Sequence, residues 1–363
     1  MADYINVADK FLSLRTDRER TCRDFAQGKR KYLIFQTPDG DIWGDNRTPE
    51  ICFKANIDYI NKSLTVKSDH VPVLEPWFGT GVFAHIFGCP YVWRDDEAPA
   101  VHYRYHTMDE VCNIKKPDWE QSEIARLVMD TIRYFKAKTG DAIPIVWTDT
   151  QSASDTATMV LDASEVMAGC LEEPELIFEF MNKINDVTIK FSLDQAELIG
   201  NAIIKPGHIM LSSGSFSGMS ISDDNLAVGS PDVNRRFNLP LNNEIGKAMG
   251  GVAIHSCGYW AHTMPFVNKL VPTCVAVDCG LDYTVDPNPN GPEQVRDAFA
   301  GTGIYTHVRL TGDTEKMLET VRRVLHPDLK IIVHPGYIDD ATAEKNYMLL
   351  DALMSEYFEY QPE

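Results

Sequence analysis

His255-Ser256-Cys257-Gly258 follows the apolar residues Val252, Ala253 and Ile254. In an extended chain residues two apart face the same side, so the imidazole of His255 and the thiol of Cys257 project together. Both groups ligate zinc, at about 2.0 Å for nitrogen and about 2.3 Å for sulfur. A catalytic zinc keeps three protein ligands and an open position, so the pair needs a third donor. His334, which closes another apolar run, is the expected one; Glu75, Asp278 and Cys279 are alternatives. The spacing equally suits a buried histidine bonded to backbone beside an inert core thiol.

A second group is acidic: Glu75, Asp149, Asp278 and the pair Asp223-Asp224 all fall where apolar runs end. Carboxylates in a cleft can act as general acids or bases, and the same residue types also cap helices and make turns. Glu75 and Asp149 are the catalytic candidates, joined by Tyr337 as a hydrogen-bond donor to substrate. The third group is aromatic. Trp77, Phe78, Trp147, Phe216, Tyr259 and Trp260 could wall a pocket for a flat, largely apolar ligand, or pack long loops over the fold. The expected substrate contacts are Trp77, Trp147, Phe216, Asp223, Tyr259 and Asp278.

These residues need a scaffold that gathers them. Short β-type runs at 31–36, 71–75, 143–148, 208–212, 252–256, 274–277, 304–309 and 330–334 alternate with helical patterns. Most are apolar runs that end near Gly, Pro, Asp or Ser, as strands buried on both faces of a parallel sheet do. Residues 122–139 place Ile124, Leu127, Val128, Ile132 and Phe135 at helical spacing, and 314–325 follows Asp313 as N-cap. Residues 154–199 read as two helices broken near Pro174. Eight strand–helix units without a fixed repeat predict an α/β protein, a single (β/α)8 TIM barrel, with an open doubly wound sheet as the alternative. Residues 1–30 would form an N-terminal helical extension to a barrel over 31–363, with an insertion near 89–117. In a barrel, the strand ends carrying Glu75, Asp149, Ser212, His255, Asp278 and His334 would share one face.

Composition sets further bounds. The 363 residues are 44% hydrophobic and 24% charged, and 34 Lys plus Arg against 53 Asp plus Glu give a net charge of −19. That acidity argues against nucleic acid and anionic membranes as partners. The longest stretches free of charged side chains, 248–268 and 76–93, are broken by glycines and prolines, so no membrane span is expected. Residues 1–14 carry Asp3, Asp9 and Lys10 with no apolar core, and the eight cysteines contain no CxxC, so a cytoplasmic protein with reduced thiols is expected. Gly79-Thr80-Gly81 lacks a surrounding dinucleotide-binding unit. Gly214-Ser215-Phe216-Ser217-Gly218 puts Phe at the nucleophile position of a GxSxG elbow. His102 and His106 alternate with Tyr103 and Tyr105 in a strand-like run and are not read as ligands.

From Asp223 through Cys257 the chain resembles the uroporphyrinogen decarboxylase superfamily. The matching pieces are Ser222-Asp223-Asp224-Asn225, Ser230-Pro231 with Phe237 and Pro240, the His-x-Cys-Gly strand end, and Pro335-Gly336. By order of elements the resemblance covers residues 15–358, and its specific motifs lie in the C-terminal half. It implies a single (β/α)8 barrel. Decarboxylases of that superfamily carry an N-terminal PVWxMRQAGR segment that grips porphyrinogen carboxylates. Residues 32–39 stand there without arginine, and a loop with Asp39 and Asp41 would repel a polycarboxylate.

The other branch contains cobamide-dependent methyltransferases such as methylcobamide:coenzyme M methyltransferase. Their zinc is held by the His-x-Cys pair and a Cys after the last strand. His255 and Cys257 match the pair, whereas Tyr337 stands where that Cys falls. The resemblance thus implies a methyltransferase moving a methyl group between a small molecule, methoxylated aromatics included, and a cobamide on a separate corrinoid protein, with zinc as an optional aid. A departing ether oxygen needs a metal or a proton donor to take up its charge. A decarboxylase of a smaller acid and a non-catalytic tetrapyrrole- or corrinoid-binding barrel are the alternatives.

Overall fold

Val252–His255, Cys274–Gly280, Tyr305–Leu310 and Lys330–Pro335 form strands almost wholly buried along their length. Continuous burial is what a parallel sheet covered by helices requires of its strands. The computed structural model describes residues 8–359 except Asp41, Asp45 and Asp96. The loop expectation for Asp41 and the expectations for residues 1–7 therefore fall outside the described residues.

Strand β1 is Tyr32–Ile34, and β2 (Tyr91–Val92) pairs antiparallel with β3 (Ala100–Val101) within the expected insertion. The remaining strands are β4 (Met219–Ser222), β5 (Val252–His255), β6 (Cys274–Gly280), β7 (Tyr305–Leu310) and β8 (Lys330–Pro335). Six of them make one parallel sheet in the order β1-β8-β7-β6-β5-β4. The circuit between its two edges runs through irregular segments. Asp69 N–H donates to the Ile34 carbonyl at 2.8 Å, and Leu74 N–H to the Pro144 carbonyl at 2.8 Å. Ser222 N–H reaches the Thr150 carbonyl at 2.9 Å. The fold is the α/β barrel expected from the alternation of strands and helices.

Three expected strands differ. Residues 71–75 and 143–148 make only isolated parallel bridges, Leu74 with Ile145 and Ile145 with Ile203. Pro72 and Pro144 have no N–H for a ladder, which confines both segments to single bridges. Residues 208–212 are not a strand. Gly207 (φ 117°) and Ile209 (φ 60°) turn the chain sharply, and the Ser212 hydroxyl accepts from Gly207 N–H at 2.9 Å. The strand lies later, at β4, whose start crosses β5 so closely that a Cβ on Gly218 would sit 2.8 Å from the Gly251 carbonyl carbon.

The helices follow their sequence signals. Ser122 caps Glu123–Thr139 by accepting from Ala125 N–H, and Ile124, Val128, Ile132 and Phe135 are buried. Full burial of side chains of this size contributes about 1.5–3 kcal/mol each before entropy losses. Asp313 caps Thr314–Val324 through Lys316 N–H. The stretch expected as two helices is three, Ala153–Val160, Ala163–Glu172 and Pro174–Ile199, because Asp162 caps a new start as well as Pro174 opening one. Helix Ala8–Ala26 closes the end of the barrel where strands begin. Its Glu19 carboxylate accepts from Ser213 and Gly214, and Phe25 packs against Phe216 and Tyr305. Among the described residues no helix is long and apolar enough to cross a membrane.

Candidate active site

Parallel register sets His255 of β5 beside Asp278 of β6, and Asp278 beside His307 of β7. The three side chains meet at the buried Asp278 carboxylate. Its Oδ2 lies 2.5 Å from His255 Nδ1 and accepts from Arg309 Nε at 3.0 Å, while Oδ1 is 2.7 Å from His307 Nδ1. Burial opposes ionisation of Asp278, but Arg309, His307 and His255 outweigh it and hold the carboxyl well below its usual range. Burial likewise opposes charge on His255, and Asp278 reverses that, raising the imidazole to about 10.

With Nδ1 fixed on Asp278, the other ring nitrogen faces the strand end. His255 Nε2 is 3.3 Å from Cys257 Sγ and 3.9 Å from Asp224 Oδ1. All three donor atoms lie within 4.8 Å of one another. Ligands at about 2.0–2.3 Å around a tetrahedral centre stand about 3.5 Å apart, so the set is close to the size zinc needs. Its chemistry fits too: imidazole, thiol and carboxylate, with an outer carboxylate on the histidine. All eight cysteines are free, and Cys257 alone is exposed.

Asp224 reaches the pair because β4 is in register with β5, Ser222 opposite His255. The turn after β4 is anchored from below. Asp155 accepts from the backbone N–H groups of Asp224 and Asn225 at 2.7 and 2.9 Å. Asp223 is buried and bonded to Ser152, Ser154 and Asn242, and burial raises its carboxyl to about 6. Asp224 Oδ1 in turn accepts from Cys257 N–H at 2.6 Å.

A second polar group stands across the barrel. His208 Nδ1 lies 2.5 Å from Glu75 Oε1, and its Nε2 is 3.6 Å from Asp149 Oδ2. Burial lowers the affinity of this imidazole for a proton, but Asp149 and Glu75 together raise it to about 9. Glu75, Arg309, His334 and Tyr337 line a cavity of about 510 Å³ whose apolar wall includes Phe35 and Trp43.

The expected residues thus separate. His255 and Cys257 meet, whereas His334, expected as third ligand, is not within 4.8 Å of their donor atoms; the carboxylate of Asp224 is. His334 instead packs in a three-ring cluster with Phe35 (ring centroids 4.3 Å apart) and His307 (5.4 Å), which also contact each other at 5.5 Å. Glu75 and Tyr337 line the cavity; Asp149 lies behind His208. Trp77, Trp147, Phe216, Asp223, Tyr259 and Asp278 do not line it. Trp147 points into the core, its Nε1 donating to the Ser192 carbonyl, while its neighbour Val146 faces the cavity. Phe216 sits at the closed end against Phe25. Tyr259 hydroxyl accepts from Gln294 near the surface. His208, His307 and Arg309 are contributors that sequence patterns did not single out.

The fold and this strand-end chemistry define a (β/α)8 barrel of enzymatic type. The uroporphyrinogen decarboxylase (URO-D) family model matches residues 77–339, and the chain belongs to that family. Among solved structures, the chain is similar to a methyltransferase from Methanosarcina mazei, at 13% identity and a TM-score of 0.66, covering 94% of this chain and 99% of the other. No curated protein matches the chain by sequence.

Proposed function

We propose that this protein moves a methyl group between a small molecule and a cobamide carried by a separate corrinoid protein, with zinc held by Asp224, His255 and Cys257. The observation that carries the reading is the convergence of those three donor atoms within 4.8 Å at the ends of β4 and β5. The similarity to a methyltransferase over nearly the whole chain supports it. Zinc bound there would act as a Lewis acid, taking up charge on the atom that gives or receives the methyl group.

The chain's own residues have separate tasks. Asp278 fixes the His255 tautomer and keeps Nε2 turned toward Cys257. Asp155 holds the Asp224 turn in place. His208, charged between two carboxylates, keeps a proton one hydrogen bond behind Glu75, which faces the cavity. That pair can protonate a leaving oxygen or nitrogen. The aromatic residues Phe35, Trp43 and Tyr59 would hold the substrate against this pair.

The test is transfer between methoxylated aromatic or thiol substrates and free cobalamin, followed through the cobalt absorption bands. The reading expects turnover by the wild type and a loss of at least about 100-fold in Cys257→Ala, because removing a ligand costs at least as much as the roughly 10–100-fold typical of removing an outer-sphere partner. Transfer unaffected by Cys257→Ala, or no transfer with any of these substrates, would count against it.

A further inference from the structure

One wall of the cavity carries polar nitrogens that the protein itself leaves without hydrogen bonds. Arg309 uses Nε on Asp278, and its Nη2 is buried 4.0 Å from Asp286 with no hydrogen bond. Nη1 makes no hydrogen bond among the described residues and is not among the buried atoms, so the exposure left to this guanidinium lies at Nη1. The same holds for two histidines beside it. Among the described residues His70 and His334 each bury Nδ1 without a hydrogen-bond partner, and neither Nε2 makes a hydrogen bond or is among the buried atoms. Both histidines line the cavity together with Arg309.

The three side chains form one patch. Arg309 and His334 are cross-strand neighbours in the β7–β8 register, which puts their side chains on the same face. His70 and His334 flank the same ring, Phe35, at 4.5 and 4.3 Å. A polar atom in a folded interior ordinarily finds a partner, and a convergent set without one marks where a ligand supplies it.

We infer that Arg309, His70 and His334 form a carboxylate subsite, so that the small molecule handled by this barrel is a monocarboxylate. Guanidinium and imidazole N–H groups are all donors to a carboxylate, and a charge-assisted bond to Arg309 supplies the main attraction. Burial keeps both histidines uncharged near neutral pH, His70 being lowered to about 3, so each can present a neutral N–H without repelling Arg309. Arg309 shares the Asp278 carboxylate with His255 and His307, and Asp286 stands 4.0 Å from Nη2. A polycarboxylate is disfavoured. Among the described residues Arg309 is the single Lys or Arg that lines the cavity, and Asp39 and Glu75 line it as well. The inference rests on the methyl-transfer reading only in taking this cavity as the substrate site.

Calorimetric titration of the purified full chain with three probes of one shape tests it: 4-methoxybenzoate, 4-methoxybenzyl alcohol and 4-methoxybenzylamine. The ring suits the wall of Phe35, Trp43 and Tyr59. The subsite predicts that the carboxylate binds at least about tenfold tighter than the alcohol, with the amine weakest, and that Arg309→Gln abolishes the preference. Should Arg309→Gln fail to fold, His70→Phe is expected to narrow the preference about threefold or more. Equal binding of acid and alcohol, tighter binding of the amine, or no binding of any probe at millimolar concentration would overturn the inference. Carboxylate preference without methyl transfer to cobalamin would remove the functional reading and leave the subsite standing. Methyl transfer from neutral substrates as readily as from acids would do the reverse.

Discussion

Asp278 Oδ2 stands 2.5 Å from His255 Nδ1, and this contact decides which way the imidazole faces. A histidine whose Nδ1 is committed to a carboxylate offers Nε2 as its ligand atom. Here Nε2 is the atom that meets Cys257 and Asp224. The orientation of the proposed ligand His255 on β5 thus depends on a residue of β6 that is not itself one of the three donors.

Asp278→Asn keeps the shape of that residue and removes its charge. Zinc affinity, measured by chelator competition, is expected to fall about 10–100-fold. Because His255, His307 and Arg309 would lose their shared buried counter-charge, urea unfolding should also show a loss of about 3–5 kcal/mol. An unchanged zinc affinity would mean that His255 is oriented by something else.

Asp155 touches none of the three donor side chains, yet it sets the turn that carries Asp224. Asp155→Ala leaves two backbone N–H groups without partners, at about 1–3 kcal/mol in stability for each one that stays buried. The expected outcome is reduced zinc stoichiometry in a protein that still folds, read by elemental analysis beside circular dichroism.

His208 gives a pH dependence of definite sign. Its folded-state value is raised from 6.5 to about 9 by Asp149 and Glu75 against the effect of burial. Its contribution to stability is therefore complete below pH 6.5 and is lost as pH rises through about 9. Denaturant midpoints across that window should fall less steeply in His208→Gln than in the wild type. An identical slope in both proteins would contradict the pairing with Glu75 and Asp149.

Two tryptophans separate core from cavity. Trp147 is fully enclosed and bonded to Ser192, so Trp147→Ala should cost about 3–5 kcal/mol of stability. Trp43 is 41% exposed and lines the cavity. Trp43→Ala should change stability by less than about 1 kcal/mol and weaken binding of an aromatic ligand. Thermal melts and ligand titration of the two variants check both halves.

The contrast between these tryptophans also marks how far sequence patterns reach. The strands β5, β6 and β8 are legible from their apolar runs at 252–254, 274–277 and 331–333, and β7 from the β-branched and aromatic residues Ile304, Tyr305, Thr306 and Val308, while His255 and Cys257 pair through the two-residue period alone. Asp224 belongs to a recognisable acidic pair, but its approach to His255 depends on the β4–β5 register. Local patterns place a strand at 208–212 instead, since Ser220 and Ser222 make β4 look too polar to be buried. Trp147 and Val146 face opposite sides of one extended segment, and composition cannot tell which side is the cavity. His208 is hidden for a related reason: its two partners lie at Glu75 and Asp149, distant in the chain and joined to it only by barrel closure.

The most direct test of the account is the zinc content of the purified wild type beside His255→Ala, Cys257→Ala, Asp224→Ala and His334→Ala. The account predicts about one zinc per chain in the wild type, lost or sharply reduced in the first three variants and retained in His334→Ala. A wild type that takes up no zinc when it is supplied, or an Asp224→Ala protein that keeps its full complement while His334→Ala loses it, would contradict the proposed centre.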